Sequence, residues 1–229
     1  MLSDVAVSGI TNESIELAVD RLLDAYTVSV QPVTFPIPIE SIAEHLLGYD
    51  LEVTDEGLFA SGDVLGGISF ETNTIFVNAS IEDHDGRYAF TVAHEIGHHV
   101  LHRDLYIEHV LDHSDILCRE ISEKPLIEKQ ADRFAAALLV PRSLIQSSTV
   151  LTRANKPCRT LPEALELATT LKSKLGLANV SLSALVNRLK DLGYVNEQVP
   201  YQSGKRWRTK RLPFLKYLLQ KYLKRIGLN

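Results

Sequence analysis

Apolar side chains recur every three or four positions over residues 13–26 (Ile15, Leu17, Ala18, Leu22, Ala25), which predicts an amphipathic helix with Asn12 as its N-cap. Pro32, Pro36 and Pro38 exclude a helix in the next stretch and force an extended path. A short helix over 40–47, stopped by Gly48, leads into a strand over 49–54. Two β-rich runs, 64–70 and 74–78, flank a turn signal at Glu71-Thr72-Asn73 and predict a hairpin. The run 74–78 suits either an edge strand that pairs with a substrate peptide or a core strand. Helical spacing returns over 87–102 and over 126–139, where Ala131, Phe134, Ala135 and Leu138 form one apolar face. Between these helices, 103–125 is polar and lacks firm periodicity, as expected of a functional loop or lid. Pro162 in a first turn opens a helix ending near Leu175-Gly176, and Ser181 caps another over 182–192. Pro213 opens a last amphipathic helix, apolar at Leu215, Leu218, Leu219, Tyr222 and Ile226.

Composition narrows the class. At 229 residues and 45% hydrophobic content the chain can bury a sizeable core, and no run approaches the roughly 18 apolar residues of a membrane helix. The N-terminus has neither the basic nor the apolar region of a secretory signal. Cys118 and Cys158 form no metal or disulfide framework, so a reducing, cytoplasmic setting is expected. The net charge of −5 is unevenly spread. Nine of the 24 Lys/Arg and none of the 29 Asp/Glu lie beyond residue 200, leaving 15 basic against 29 acidic residues, a balance of −14, before it. A basic tail on an acidic body is suited to a partner with an acidic face or to docking on that body. A division follows: a domain over 1–145, a helical module resembling a helix-turn-helix over 146–198, and a basic tail over 199–229 carrying the amphipathic helix.

The chemistry concentrates in His94-Glu95-Ile96-Gly97-His98. Residues four apart share one helix face, so His94 and His98 can offer two imidazole nitrogens to one metal ion. Zinc favours such ligands, at roughly 2.0–2.1 Å, in a tetrahedral site. Glu95 would stand beside the remaining position as general base for water whose pKa the ion lowers to about 7. A catalytic zinc takes three protein ligands, and Glu128 on the second strong helix is the candidate third. Asp132, one turn on, would accept the free N–H of His94 or His98. The alternative pairs these acids with Lys129 and Arg133 on a solvated face, and the spacing alone leaves both open. Gly97 costs about 1 kcal/mol relative to Ala inside a helix, so close backbone approach is expected there. His99 and His102 are expected outside the ligand set. Tyr88, His109 and His113 are candidates to stabilise an oxyanion.

Arg87-Tyr88-Ala89-Phe90-Thr91-Val92-Ala93-His94-Glu95-Ile96-Gly97-His98, followed by Glu128-Lys129-Gln130-Ala131-Asp132-Arg133-Phe134-Ala135-Ala136-Ala137-Leu138-Leu139-Val140-Pro141, resembles the ImmA/IrrE metallopeptidase family, whose pattern is RFT-x-AHE-x-GH and then E-x-x-A-(N/D)-x-FA-x-x-LL-x-P. Asp132 stands where Asn is commoner. The resemblance is dense over 87–141 and looser over about 30–80 and 162–195. It implies an α+β, zincin-like (gluzincin) fold, in which a small antiparallel or mixed sheet accompanies the helices and C-terminal helices follow. It also implies zinc on His94, His98 and Glu128, with Glu95 as general base. The implied activity is cytoplasmic cleavage of a helix-turn-helix repressor, releasing stress or transfer genes of bacteria or their mobile elements. The rival expectations are a non-catalytic, zinc-stabilised protein that sequesters a repressor, and a DNA-binding regulator. Nucleic-acid binding by 163–192 is not favoured over a packing role, in which the segment braces the peptidase or reads the substrate repressor, because it carries Glu163, Glu166 and Asp191 and few exposed arginines.

Overall fold

The computed structural model describes residues 9–60, 64–111, 126–151 and 156–200, with backbone alone at 58 and 106–111. The readings made for His113, Cys118, the side chain of His109 and the tail beyond residue 200 lie outside the described residues.

Helix α1 (Asn12–Ser29) begins one residue earlier than its apolar pattern suggests, and its N-cap is Thr11. Thr11 Oγ1 accepts from the Ser14 amide at 3.2 Å, and the Thr11 amide donates to Ser14 Oγ at 2.9 Å. This reciprocal pair satisfies two amides at once, which Asn12 alone could not do. Asn12 becomes the first helical residue. The buried face is Ile15, Val19, Leu22 and Tyr26; Leu17 points out, because positions 15, 19, 22 and 26 follow the helical stripe and 17 does not. The proline-rich stretch passes through a cis Phe35–Pro36 peptide to α2 (Ile39–Ser41), which continues as a π-helical turn (Ile42–Leu46). Gly48, at φ +73°, turns the chain out of it, in a conformation that a side chain would strain.

Three strands follow: β1 (Asp50–Thr54), β2 (Gly66–Ser69) and β3 (Thr74–Asn78). The hairpin forms as expected, with β2 antiparallel to β3 and Ile68 opposite Ile75. β1 joins the other side of β3 in parallel, with Leu51 opposite Ile75, so the sheet is mixed, in the order β1-β3-β2. β3 is therefore the central strand, which rules out the edge-strand alternative. Its backbone is bonded on both sides, and Ile75 and Val77 are fully buried.

Helix α3 (Asp85–Leu111) is longer than the segment 87–102 that carries the motif. No Gly or Pro interrupts residues 103–111, so the helix continues where a loop was expected. Helix α4 (Leu126–Leu139) packs along α3 in the most extensive helix contact among the described residues. After Pro141 a short α5 (Arg142–Ser147) follows. Helix α6 (Leu161–Lys174) opens with a Thr160/Glu163 capping box and Pro162 in its first turn. Ser181 caps α7 (Leu182–Asp191) through the Ala184 amide at 3.1 Å. Seven residues separate α6 and α7, more than the three or four of a DNA-binding helix-turn-helix.

The fold is α+β, with one apolar core running from Ile15 on α1 through α3 and α4 to Leu171 and Leu189 on α6 and α7. Arg188 crosses this core. Nearly inaccessible, its guanidinium donates to Glu16 Oε2 at 2.8 Å and to Oε1 at 2.5 Å, and its Nε donates to the Val140 carbonyl at 3.0 Å. Helix α7 is thereby bonded to α1 and to Val140, the residue that follows α4. Among the described residues no helix is long and apolar enough to cross a membrane.

Candidate metal centre

The site is made where α3 and α4 face one another. Their close approach depends on Gly97: a Cβ there would stand 3.2 Å from both Cβ and Cδ1 of Phe134 and 3.3 Å from Cα of Ala131. The expectation of close approach at this glycine is met, and the partner is α4 itself. A Gly97→Ala change gains about 1 kcal/mol in helix propensity but overpacks a filled core, which costs about 1–3 kcal/mol. The expected result is a lower melting temperature together with weaker metal binding, because α4 carries Glu128. An unchanged melting temperature and metal affinity would show that the helices can part freely.

His94, Glu95, His98 and Glu128 are all buried. The Nε2 atoms of His94 and His98 lie 3.0 Å apart. Glu128 Oε2 is 3.5 Å from His94 Nε2, and Oε1 is 3.3 Å from His98 Nε2. One ligand atom from each of the three residues falls within 4.8 Å of the others, a group that could hold a metal ion. Ligands at about 2.0–2.1 Å from a tetrahedral ion stand roughly 3.3–3.4 Å apart, close to the spacings found.

Asp132 lies on the other side of the His94 ring, with its Oδ1 2.8 Å from Nδ1. A carboxylate accepts, so Asp132 is placed to take the ring N–H of His94 at Nδ1, which would leave the Nε2 lone pair for an ion. Of the two histidines the sequence offered it, Asp132 meets the His94 ring. Arg133 turns away to Asp191, at 3.2 Å, and to Asn12. Behind His98, a second arrangement carries no sequence signal beyond the four-residue spacing of His98 and His102. His98 Nδ1 is 3.2 Å from His102 Nδ1, and His102 Nε2 is 3.0 Å from Gln130 Oε1. His99 points elsewhere, its Nδ1 2.9 Å from the Tyr49 hydroxyl, and burial first, then Arg103, lowers its pKa.

Glu95 is fully inaccessible and sits against β2. A Cβ at Gly66 would come within 3.3 Å of Glu95 Oε1 and would collide with the Thr91 side chain. Glycine is required there by the close passage of a strand over the carboxylate. Gly66→Ala should therefore displace Glu95 while leaving the histidines and Glu128 in place, so turnover is expected to fall more than metal content. Equal losses of both, by metal analysis and activity assay, would mean that the change acts on the whole fold. Tyr88, proposed from sequence for an oxyanion, has its pKa raised by burial and then by Glu40, Glu44 and Glu82. These carboxylates belong to α2, the π-helical turn and the approach to α3, not to the histidine cluster. Cys158 is a half-buried thiol whose pKa burial raises.

No curated protein matches the chain. The family model described as peptidase, IrrE N-terminal-like domain, matches residues 33–190, which span the sheet, both site helices and the C-terminal pair. That is well over half of the chain, and it carries the His94-Glu95-x-x-His98 and Glu128 helices in the order observed: the protein belongs to the family of peptidases with an IrrE N-terminal-like domain.

Proposed function

We propose that the protein is a zinc-dependent endopeptidase, with His94, His98 and Glu128 holding the ion and Glu95 acting as general base. The observation that carries this reading is the convergence of two imidazole nitrogens and one carboxylate within 4.8 Å in a buried site, beside a second, fully buried acid. Two neutral imidazoles and one carboxylate make a donor set suited to zinc, with room for a fourth ligand. When bound, zinc polarises a carbonyl and lowers the pKa of water to about 7.

The chain's own residues do the rest. Glu95 takes a proton from the attacking water and returns it to the leaving amide nitrogen, so one carboxylate serves first as base and then as acid. Its burial keeps bulk water from competing for that proton and strengthens its electrostatic interactions. Asp132 holds the His94 ring by its Nδ1–H at 2.8 Å. The substrate proposed is a helix-turn-helix transcriptional repressor in the cytoplasm, whose cleavage would derepress its genes; support for this comes from the family resemblance of the two motifs. Arg188, which a DNA-binding role for α7 would need at the surface, is engaged with Glu16 in the interior. That favours a bracing role for α6 and α7.

The test is Glu95→Gln. Loss of one general base lowers turnover by about 10²–10⁴-fold, and the variant should keep its zinc. Candidate repressors incubated with the zinc-loaded wild type should show a single new pair of fragments by mass spectrometry, absent with the variant. A repressor that the variant still inactivates with its chain intact would point to sequestration in place of cleavage.

A further inference from the structure

We propose that the outer edge of β1 is a docking site for segment 205–211 of this chain, which pairs with it as a fourth strand of the sheet. The sheet ends at β1, and among the described residues nothing pairs beyond it. Asp50 donates its amide to the Asn73 carbonyl at 2.9 Å, and the bonds of a parallel ladder recur at every second residue. The backbone groups of Asp50, Glu52 and Thr54 are therefore directed to β3, and those of Leu51 and Val53 face away from the sheet. The Val53 side chain is 37% exposed. This edge stands apart from the metal centre, and nothing in the proposal depends on that centre.

Charge selects the occupant. Between Arg21 and Arg87 the chain has twelve Asp or Glu and no Lys or Arg. On β1 the exposed side chains of Asp50 and Glu52 share one face, and the exposed Asp55 and Glu56 follow. Pairing with β1 of another copy would bring these acids against themselves, and like charges on facing positions are destabilising. Charged side chains guard an edge against most strands; a strand of opposite charge is the one they leave welcome. Segment 205–211 is such a strand, reading Lys-Arg-Trp-Arg-Thr-Lys-Arg, with five cations in seven residues. Its alternation matches as well. At a period of two, Arg206, Arg208 and Lys210 fall on one face, and Trp207 and Thr209 on the other. Laid along β1, the cations meet Asp50 and Glu52. Trp207 then covers Leu51 and Val53, on the face where these two adjoin the buried Ile75 and Val77. Opposite charges and aromatic–β-branched contacts are the cross-strand pairs that stabilise a sheet. The docking of a basic tail on an acidic body thus acquires a definite place.

Trp207 is the chain's only tryptophan, so its fluorescence in the full-length protein reports on this segment alone. At low salt its emission should be blue-shifted and shielded from acrylamide, and the Leu51 and Val53 amides should exchange slowly with deuterium. Asp50→Lys combined with Glu52→Lys should lose both signals. Adding Arg206→Glu and Arg208→Glu to that protein should restore them. Raising the salt to 1 M, where charges are screened beyond about 3 Å, should weaken them in the wild type. Val53→Pro removes an outward amide and should expose Trp207 at an unchanged melting temperature, because an edge strand tolerates proline on its free side. If that variant does not fold, the charge reversals decide, both positions being exposed. A Trp207 equally exposed in the wild type and in the Asp50→Lys, Glu52→Lys protein would overturn the proposal. So would Leu51 and Val53 amides that stay protected when Arg206 and Arg208 alone are reversed, which would give the edge to another occupant. Signals that survive dilution place the added strand in the same copy, and signals lost on dilution place it in a neighbouring one; both keep 205–211 as the strand.

Discussion

Glu128→Ala is expected to lose zinc and hydrolytic activity together, whereas His102→Ala should keep most of its zinc as purified. His102 is a tempting third ligand, being the last histidine of HEIGHHVLH. It lies eight residues beyond His94, about 12 Å along the helix at a rise of 1.5 Å per residue. Ligand atoms around one zinc can be only about 3–4 Å apart. Reaching the site would require the helix to break after His98, and α3 runs on without a break to Leu111. His102 accordingly stands behind the His98 ring, 3.2 Å from Nδ1, on the side away from the cluster. Glu128 comes from a different helix and meets both Nε2 atoms at 3.3 and 3.5 Å. Removing it takes away the only negative charge in the donor set of three. Removing His102 weakens binding through His98 without deleting a ligand, so excess zinc should still fill the site. Metal analysis of the two purified variants decides the matter: zinc retained in the first and lost in the second would overturn the assignment of Glu128.

Arg188→Ala should destabilise the protein by about 3–5 kcal/mol, the usual cost of removing one partner from a buried ion pair. Three acceptors lose their donor at once: both Glu16 oxygens and the Val140 carbonyl. The carboxylate of Glu16 would stay in the interior between α1 and α7 with the more distant Arg142, whose Nε lies 3.9 Å from Oε2, in place of the Arg188 guanidinium. Replacing both charges by apolar residues, as in Glu16→Leu with Arg188→Met, should recover much of the loss, since such pairs gain little over good packing. Urea denaturation of the single and the double variant, beside the wild type, reads the effect directly. An Arg188→Ala protein as stable as the wild type would mean that α7 contributes little to the fold and is free for another role.

Much of this protein is legible locally. The i,i+4 spacing places His94 with His98 on one face, and Glu128 with Asp132 on another, whatever else the chain does. The hairpin turn at Glu71-Thr72-Asn73 and the caps at Ser181 and in the first turn of α6 are likewise local, because a turn or a cap is satisfied by atoms within three or four residues. Even here a one-residue question escaped the pattern: Thr11 and Asn12 can both cap, and the reciprocal bond with Ser14 selects Thr11.

Tertiary contact decided what periodicity cannot encode. The run 74–78 reads the same as edge or centre, and it became the centre only because β1 paired with it in parallel from 24 residues upstream. Which histidine Asp132 would serve depended on the crossing of α3 and α4, fixed by Gly97 against Phe134. The Ile10–Gln130 hydrogen bond joins residues 120 positions apart, and Arg188 meets Glu16 across 172. Hydrogen bonds over such separations are specified by packing of the whole core. Each end, taken in its own stretch of sequence, shows only an ordinary polar side chain.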